Sequence, residues 1–306
     1  MRKAFITASA AILVLLLTCC AAYDPVHRTG DSRYRSIVVI GIDGGGGLFK
    51  SGDALTDEFK DFFSTADSSI GFTYSCETPS ISAQNWGSFL HGVRPEKLEV
   101  NNLKISSVRF TDRRYPSVFQ VIHDVDPSCT LASICHWNPI NYGLIETTAG
   151  VYKNTDLRFR FENYSDEQTC ACVLEYLQDN TPDLLFVHLD DTDETGHSRG
   201  YGSPEYMDAE RRAQEFCLDI FSQFDPETTL FIVITDHGGT PGGEHGGDTP
   251  EEMHITFAIR GKGLNAGALD DFEFMPRDLA PIILKAMNIE VPTCMEGSCP
   301  TGLFSN

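Results

Sequence analysis

The sequence predicts an α/β fold, a three-layer α/β/α sandwich around a mostly parallel sheet. Three apolar runs indicate this fold: residues 37–42, 184–189 and 229–234, each dominated by branched aliphatic residues and phenylalanine. Continuous runs of this kind are typical of strands buried on both faces. Between the second and third runs, residues 204–222 carry apolar side chains at helical spacing. Strands alternating with helices favour a mostly parallel sheet.

The rest of the chain fits one large catalytic domain, which we place at residues 36–306. A further strand is predicted at 255–259 and a helix at 277–287. Hydrophobic residues make up 41% and charged residues 22% of the 306 residues, an ordinary globular composition. Residues 23–35 are polar and without periodicity, and we interpret them as a tether.

The first 22 residues have the pattern of an export signal. Arg2 and Lys3 precede an apolar run from Ala8 to Leu17 that is too short to span a bilayer comfortably. We therefore expect an exported protein, periplasmic, cell-surface or secreted. Because the run also resembles a bacterial lipobox, lipid attachment at Cys19 or Cys20 and membrane association stay open as alternatives. Removal of the signal leaves eight cysteines, of which Cys294 and Cys299 are the expected pair.

The chain is strongly acidic, which restricts its partners. Its formal net charge is −21, and removing residues 1–22 takes away two basic residues, giving 21 − 44 = −23. A surface of this sign repels polyanions, so long nucleic acid is excluded as a partner. A small phosphate ester is not excluded, because bound cations can invert the local field. Nothing in the sequence indicates the oligomeric state.

Aspartate follows each of the three buried runs. Asp43 follows the first, Asp193 comes shortly after the second, and Asp236 follows the third. The carboxyl ends of parallel strands meet at one edge of a sheet, where ligands bind in open α/β folds. One such end is commonplace, because Asp favours turns and helix caps. Three together predict a site.

Histidines complete a metal-ligand set at the same edge. Asp193 and His197 are four residues apart, so both lie on one face of a helical turn. His237 follows Asp236 directly, and His245 lies among glycines. Imidazole nitrogen with carboxylate oxygen suits zinc, with manganese or iron as alternatives. Two divalent ions against three aspartates leave a surplus of about one positive charge, which favours a phosphate oxygen.

Ser82 is the candidate nucleophile. It lies at the start of a predicted helix, where the positive end of the helix favours an anion. Metal coordination is one of the few ways to activate a serine hydroxyl near neutral pH. We expect backbone N–H groups and the amide of Asn85 to hold the oxygens of the substrate phosphate.

In this order, the set resembles the alkaline phosphatase superfamily, most closely its type I phosphodiesterase/nucleotide pyrophosphatase branch. The likeness covers roughly residues 36–290. The stretches that carry it are Gly41–Gly44, Ser82–Trp86, Gly92–Glu96, Asp193–His197, Thr235–Gly238, His245–Gly247 and Thr249–Met253.

The resemblance implies two metal ions and a phosphoseryl intermediate. One ion would be held by Asp193, His197 and His245. The other would be held by the residues Asp43, Asp236, His237 and Ser82. Sulfatases of the superfamily carry Pro two residues and Arg four residues after the nucleophile, where this chain has Gln84 and Trp86, so that reading is disfavoured.

The predicted function is therefore metal-dependent hydrolysis of phosphate esters. The arginine that binds dianionic monoesters in the phosphatase branch has no obvious match in this sequence. The resemblance therefore favours diesters, nucleotides or phosphonates as substrates. A phosphomonoesterase and a transferase of phosphoryl headgroups on the same site are alternatives. From another class, a catalytically inactive metal-binding protein is the competing hypothesis.

Overall fold

The fold is built around one mixed sheet. The computed structural model describes residues 23–46, 54–107, 114–154 and 165–304. Its seven strands are β1 (Ser36–Ile42), β2 (Ser68–Ser75), β3 (Leu131–Cys135), β4 (Tyr152–Lys153), β5 (Leu184–Leu189), β6 (Thr229–Thr235) and β7 (His254–Arg260). They lie in the order β2-β7-β6-β1-β5-β3-β4, and only the pairings of β7 with β2 and β6 are antiparallel. The mostly parallel sheet is thus confirmed.

Helices connect these strands. They are α1 (Asp57–Phe62), α2 (Ser82–His91), α3 (Pro95–Leu98), α4 (Asn102–Ser107), α5 (Val118–Val125), α6 (Pro139–Gly143), α7 (Asp166–Asp179), α8 (Asp191–Arg199), α9 (Pro204–Phe221), α10 (Pro250–Met253) and α11 (Leu279–Ala286). Short 3₁₀ turns lie at Ala266–Leu269 and Pro276–Asp278. Among the described residues, no helix combines the length and apolar character needed to cross a membrane.

The two faces of the sheet carry separate apolar cores. On β1, Ile37 and Val39 face one core, together with residues of α2, α5 and α11. Val38 and Ile40 face the other, together with residues of α1, α7 and α9. This alternation along a strand of wholly buried residues is the reason for its continuous apolar sequence. The three predicted layers are confirmed.

The segment 23–35 is not a free tether, which corrects the sequence-based expectation. Its backbone pairs with the end of α11 and the residues that follow it: the N–H of Thr29 donates to the carbonyl of Asn288 at 2.7 Å, and the N–H of Arg33 to that of Ala286 at 3.0 Å. Tyr34 is buried in the core. A polar, aperiodic sequence can still be ordered, because backbone hydrogen bonds need no side-chain pattern.

Two further expectations concern the cysteine pair near the C-terminus and the export signal at the N-terminus. Cys294 and Cys299, the expected pair, are both free thiols, and the Cys299 Sγ lies 3.8 Å from the carbonyl oxygen of Pro300. The proposed export signal, residues 1–22, lies outside the described residues.

Candidate active site

The site forms where the central strands end. β1 lies between β5 and β6 and is parallel to both, with Ile42 in register with Leu189 and Thr235. The next residue on each strand is an aspartate: Asp43, Asp190 and Asp236. Adjacent parallel strands therefore present three buried carboxyl groups at one edge.

One group of ligand atoms surrounds the Ser82 hydroxyl. Its Oγ lies 3.3 Å from Asp43 Oδ1 and 3.2 Å from His237 Nε2. The same imidazole nitrogen lies 3.4 Å from Asp236 Oδ2. The His237 Nδ1 lies 2.9 Å from the Gly238 carbonyl, to which it donates, so Nε2 is directed toward the carboxylates. Asp43, Asp236 and His237 present ligand atoms within 4.8 Å of one another.

A second group lies beside the first. His197 Nε2 is 3.3 Å from Asp193 Oδ2 and 3.2 Å from His245 Nε2. Both imidazoles donate through Nδ1 to a backbone carbonyl, His197 to Gly243 and His245 to Ser80. The His245 ring stacks on that of His237 at 3.8 Å between centroids. All seven residues predicted from the sequence therefore meet in two adjoining clusters.

The donor set fits divalent cations. Asp236 is fully buried, and its Oδ2 has no hydrogen-bond partner although it faces His237 Nε2 and the first cluster. Burial, then the charge of Asp43, raises the pKa of Asp236 well above its usual range. The carboxyl groups of Asp43, Asp190, Asp193 and Asp236 are all buried, and no lysine or arginine of the described residues forms a hydrogen bond with them. Such a group of acids is costly to bury unless a cation is present.

Asp190, the residue directly after β5, lies at the same edge of the sheet. It is buried beside Asp43, and burial and then the Asp43 charge raise its pKa well above the usual range. Asp190 therefore adds a further buried acidic group beside Asp43 and His188.

Two buried side chains, those of Trp86 and His188, hold the carboxylate of Asp43. The indole N–H of Trp86 donates to Asp43 Oδ2 at 2.8 Å, and His188 Nε2 donates to the same oxygen at 3.0 Å. The backbone N–H of Trp137 approaches His188 Nδ1 at 3.5 Å, which fits the Nε2–H tautomer. Burial alone would raise the pKa of Asp43, but the hydrogen bonds from His188 and His237 hold it well below its usual range. Oδ2 is thus saturated and Oδ1 faces Ser82.

The expected role of Asn85 is corrected. Its side chain is fully buried, and its amide nitrogen lies 3.1 Å from the carbonyl of Ile81 and 3.3 Å from that of Pro79. Its amide oxygen accepts from the N–H of Glu77 at 2.7 Å. Asn85 therefore fastens the loop before α2, and both ends of its amide are occupied within the protein.

Another amide lies where a phosphate ligand is needed. The exposed Asn102, at the start of α4, accepts from the backbone N–H of Ala83 at 3.0 Å. Ala83 is the neighbour of Ser82 in the first turn of α2. No spacing rule in the sequence links Asn102 to Ser82, because the contact depends on how α4 folds back over α2.

The fold and the two clusters define a class: enzymes with an alkaline-phosphatase-like fold that transfer or hydrolyse the phosphoryl groups of phosphate esters. The chain belongs to the type I phosphodiesterase / nucleotide pyrophosphatase family, whose sequence model matches residues 37–254.

Solved structures support the fold. Murine ectonucleotide pyrophosphatase / phosphodiesterase 5, in complex with AMP, superposes with a TM-score of 0.65 at 10% identity, covering 87% of this chain and 97% of that chain. The C-terminal periplasmic domain of phosphoethanolamine transferase EptC from Campylobacter jejuni gives a TM-score of 0.61 at 11% identity, covering 87% and 92%.

A curated relative is similar over part of its length. GPI ethanolamine phosphate transferase 1 of Mus musculus is 28% identical over 148 residues, which are 40% of this chain and 16% of the relative. The matched region is thus a small part of that longer protein.

A buried acid beneath the site gives a pH prediction. Glu210 is fully buried, and burial raises its pKa from 4.5 to about 8. Because the folded protein favours the protonated form of Glu210, the stability that this group contributes is complete below about pH 4.5. It is lost as the pH rises through about 8. We expect Glu210→Gln to gain roughly 4 kcal/mol in unfolding free energy over wild type between these limits.

Urea unfolding of both proteins at several pH values between 5.5 and 8.5 measures this effect. Glu205→Gln, on the exposed side of the same helix, is the matched control. Curves for wild type and Glu210→Gln that stay parallel across this range would contradict a neutral Glu210.

Proposed function

We propose that this chain is a two-metal enzyme that moves the phosphoryl group of phosphate esters through a covalent intermediate on Ser82. The observation that supports this most strongly is the convergence of Ser82 Oγ with Asp43 Oδ1 and His237 Nε2 at 3.3 and 3.2 Å. Zinc suits the donor set best, with manganese or iron as alternatives.

The two ions would be held by the two clusters. Asp43, Asp236, His237 and Ser82 would hold one, and Asp193, His197 and His245 the other. Bound there, divalent ions supply Lewis-acid stabilisation of the attacking and leaving oxygens and lower the pKa of the serine hydroxyl.

The residues of the chain perform the positioning. Ser82 lies in the first turn of the ten-residue α2, so the positive end of that helix faces the phosphate. The amide NH₂ of Asn102, whose oxygen is held by the N–H of Ala83, is the group that we propose for a non-bridging oxygen, in place of Asn85. Ser82 Oγ bonds to phosphorus as the ester oxygen leaves, and water or an alcohol then displaces Ser82.

Activity assays on generic substrates test the proposal. Aryl phosphate monoesters, aryl phosphodiesters and aryl phosphonates are offered to the protein with and without added zinc. We expect zinc-dependent turnover, with diesters or phosphonates preferred. No turnover of any of them, from protein shown to hold two metal ions, would leave the inactive metal-binding hypothesis in its place.

A headgroup transferase is the second candidate. It is favoured by relatives named ethanolamine phosphate transferases, among both the curated proteins and the solved structures. For a transferase, an added alcohol would relieve the phosphoserine faster than water does. The acceptor alcohol in this comparison can also be lipid-linked, because an exported and lipid-anchored form of this chain would meet such acceptors at the membrane.

The two clusters should lose metal independently. His245→Ala removes an imidazole from the cluster of Asp193 and His197 but none from that of Asp43. We expect about one ion per chain instead of two by elemental analysis, with the fold retained. His27→Ala, an exposed histidine outside the site, is the control. Retention of two ions by His245→Ala would count against its role.

A further inference from the structure

Two buried tyrosines lie under the metal-ligand residues. Tyr201 follows α8, Tyr206 lies in the first turn of α9, and their ring centroids are 5.4 Å apart. Both are buried, Tyr206 completely. Neither was singled out as a site residue in the sequence, and neither offers a ligand to either cluster.

Tyr201 acts on the second cluster. Its hydroxyl donates to Oδ1 of Asp193 in a short hydrogen bond. The other carboxylate oxygen, Oδ2, faces His197 Nε2 at 3.3 Å. Tyr201 therefore fixes the rotation of the carboxylate and leaves Oδ2 directed at the histidine.

Tyr206 acts on the first cluster through a glycine. Its hydroxyl donates to the carbonyl oxygen of Gly44 at 2.6 Å. The N–H of Gly44 donates to Oδ1 of Asp236 at 3.0 Å. Gly44 also follows Asp43 in the chain, so one residue connects Tyr206 to two of the carboxylates.

The hydrogen bonds of the Tyr206 hydroxyl indicate the protonation state of Glu210. The Tyr206 oxygen lies 2.9 Å from Glu210 Oε1, but its single hydrogen is already donated to the Gly44 carbonyl, which can only accept. The contact is a hydrogen bond only if Glu210 is protonated and donates to the tyrosine oxygen. The buried Oε2 of Glu210 has no partner, as fits a neutral acid better than a carboxylate.

We propose that Tyr201 and Tyr206 are positioning residues that orient the carboxylates of the two metal clusters, with Glu210 as the neutral donor that holds Tyr206 toward Gly44. This inference rests on the proposed two-metal site. It extends that proposal by naming which side chains outside the ligand set determine metal affinity, and it assigns each tyrosine to a different cluster.

The test removes single hydroxyl groups. Tyr201→Phe and Tyr206→Phe keep the rings and delete only the donors. Tyr34→Phe is the matched control, because Tyr34 is also buried and its hydroxyl donates to one backbone carbonyl, that of Lys262 at 3.3 Å, outside both clusters. Zinc affinity of each protein is measured by competition with a chromophoric chelator, together with the melting temperature.

Loss of a partner that orients a metal ligand typically costs 10- to 100-fold in metal affinity. We expect Tyr201→Phe to weaken one of the two zinc ions by roughly this factor and Tyr206→Phe to weaken the other. Tyr34→Phe should lower only the melting temperature. Glu210→Gln, which keeps a donor, should retain more affinity than Glu210→Leu.

Two results would overturn the inference. One is wild-type zinc affinity in both Tyr201→Phe and Tyr206→Phe. The other is a loss of zinc affinity in Tyr201→Phe and Tyr206→Phe that is no larger than the loss in Tyr34→Phe, when all three variants show an equal drop in melting temperature. Wild-type protein that binds no zinc, manganese or iron would refute the metal centre itself, and this inference with it, before any variant is compared.

Discussion

Ser82→Ala is expected to lower turnover by roughly three orders of magnitude or more, the scale seen when a covalent nucleophile is removed. The hydroxyl is the only part of the side chain that reaches Asp43 Oδ1 and His237 Nε2. Alanine is also a good helix former, so α2 should be retained. Initial rates on an aryl phosphodiester, with zinc content measured in parallel, give the result.

Ser88→Ala provides the control on the same helix. Ser88 is also buried in α2, but its Oγ has no hydrogen-bond partner among the described residues. Its removal should leave turnover near wild type, with stability equal or slightly higher. Near-normal rates in Ser82→Ala would mean that the nucleophile is assigned to the wrong residue.

Gly44→Ala is expected to disrupt both clusters. Gly44 has φ +63°, and a Cβ there would lie 2.5 Å from Asp193 Oδ1 and 2.9 Å from its Cα. The left-handed backbone costs alanine about 1–2 kcal/mol, and the overlap adds about 1–3 kcal/mol or displaces Asp193. We therefore expect reduced stability, loss of bound zinc and at least a 100-fold loss of turnover, in keeping with the effect of small misplacements at an active site.

Gly202→Ala separates the cost of the left-handed backbone from the cost of the overlap with Asp193. Gly202 also has a positive φ, +85°, but a Cβ there would meet no atom within 4 Å. It should therefore show the backbone cost alone, with zinc content unchanged. Equal losses of stability in the two variants, with zinc retained in both, would contradict the close approach of Gly44 to Asp193.

The sequence predicts the centre of this fold and most of its site because both depend on local patterns. β1, β5 and β6 are buried on both faces, so each is a continuous apolar run that ends next to an aspartate. The spacing of Asp193 and His197 likewise follows from helical geometry. These features need no knowledge of how distant segments pack.

The features that were missed depend on packing between distant segments. Asn85 and Asn102 are both amides near Ser82, and only the fold shows that one fastens its own loop while the other reaches Ala83. Trp86 and His188 look like ordinary core residues until β1 brings Asp43 between them. The order of segment 23–35 was missed for the same reason. Its backbone pairs with residues near 288, and such pairing cannot be predicted from its composition.

The stereochemistry of phosphoryl transfer tests the central claim most directly. Zinc-loaded protein hydrolyses one diastereomer of a chiral phosphorothioate diester in ¹⁸O-labelled water, and the configuration of the product at phosphorus is determined. Attack by Ser82 followed by attack of water inverts phosphorus twice, so we predict net retention. Net inversion would show that water attacks directly, which would contradict a covalent intermediate on Ser82.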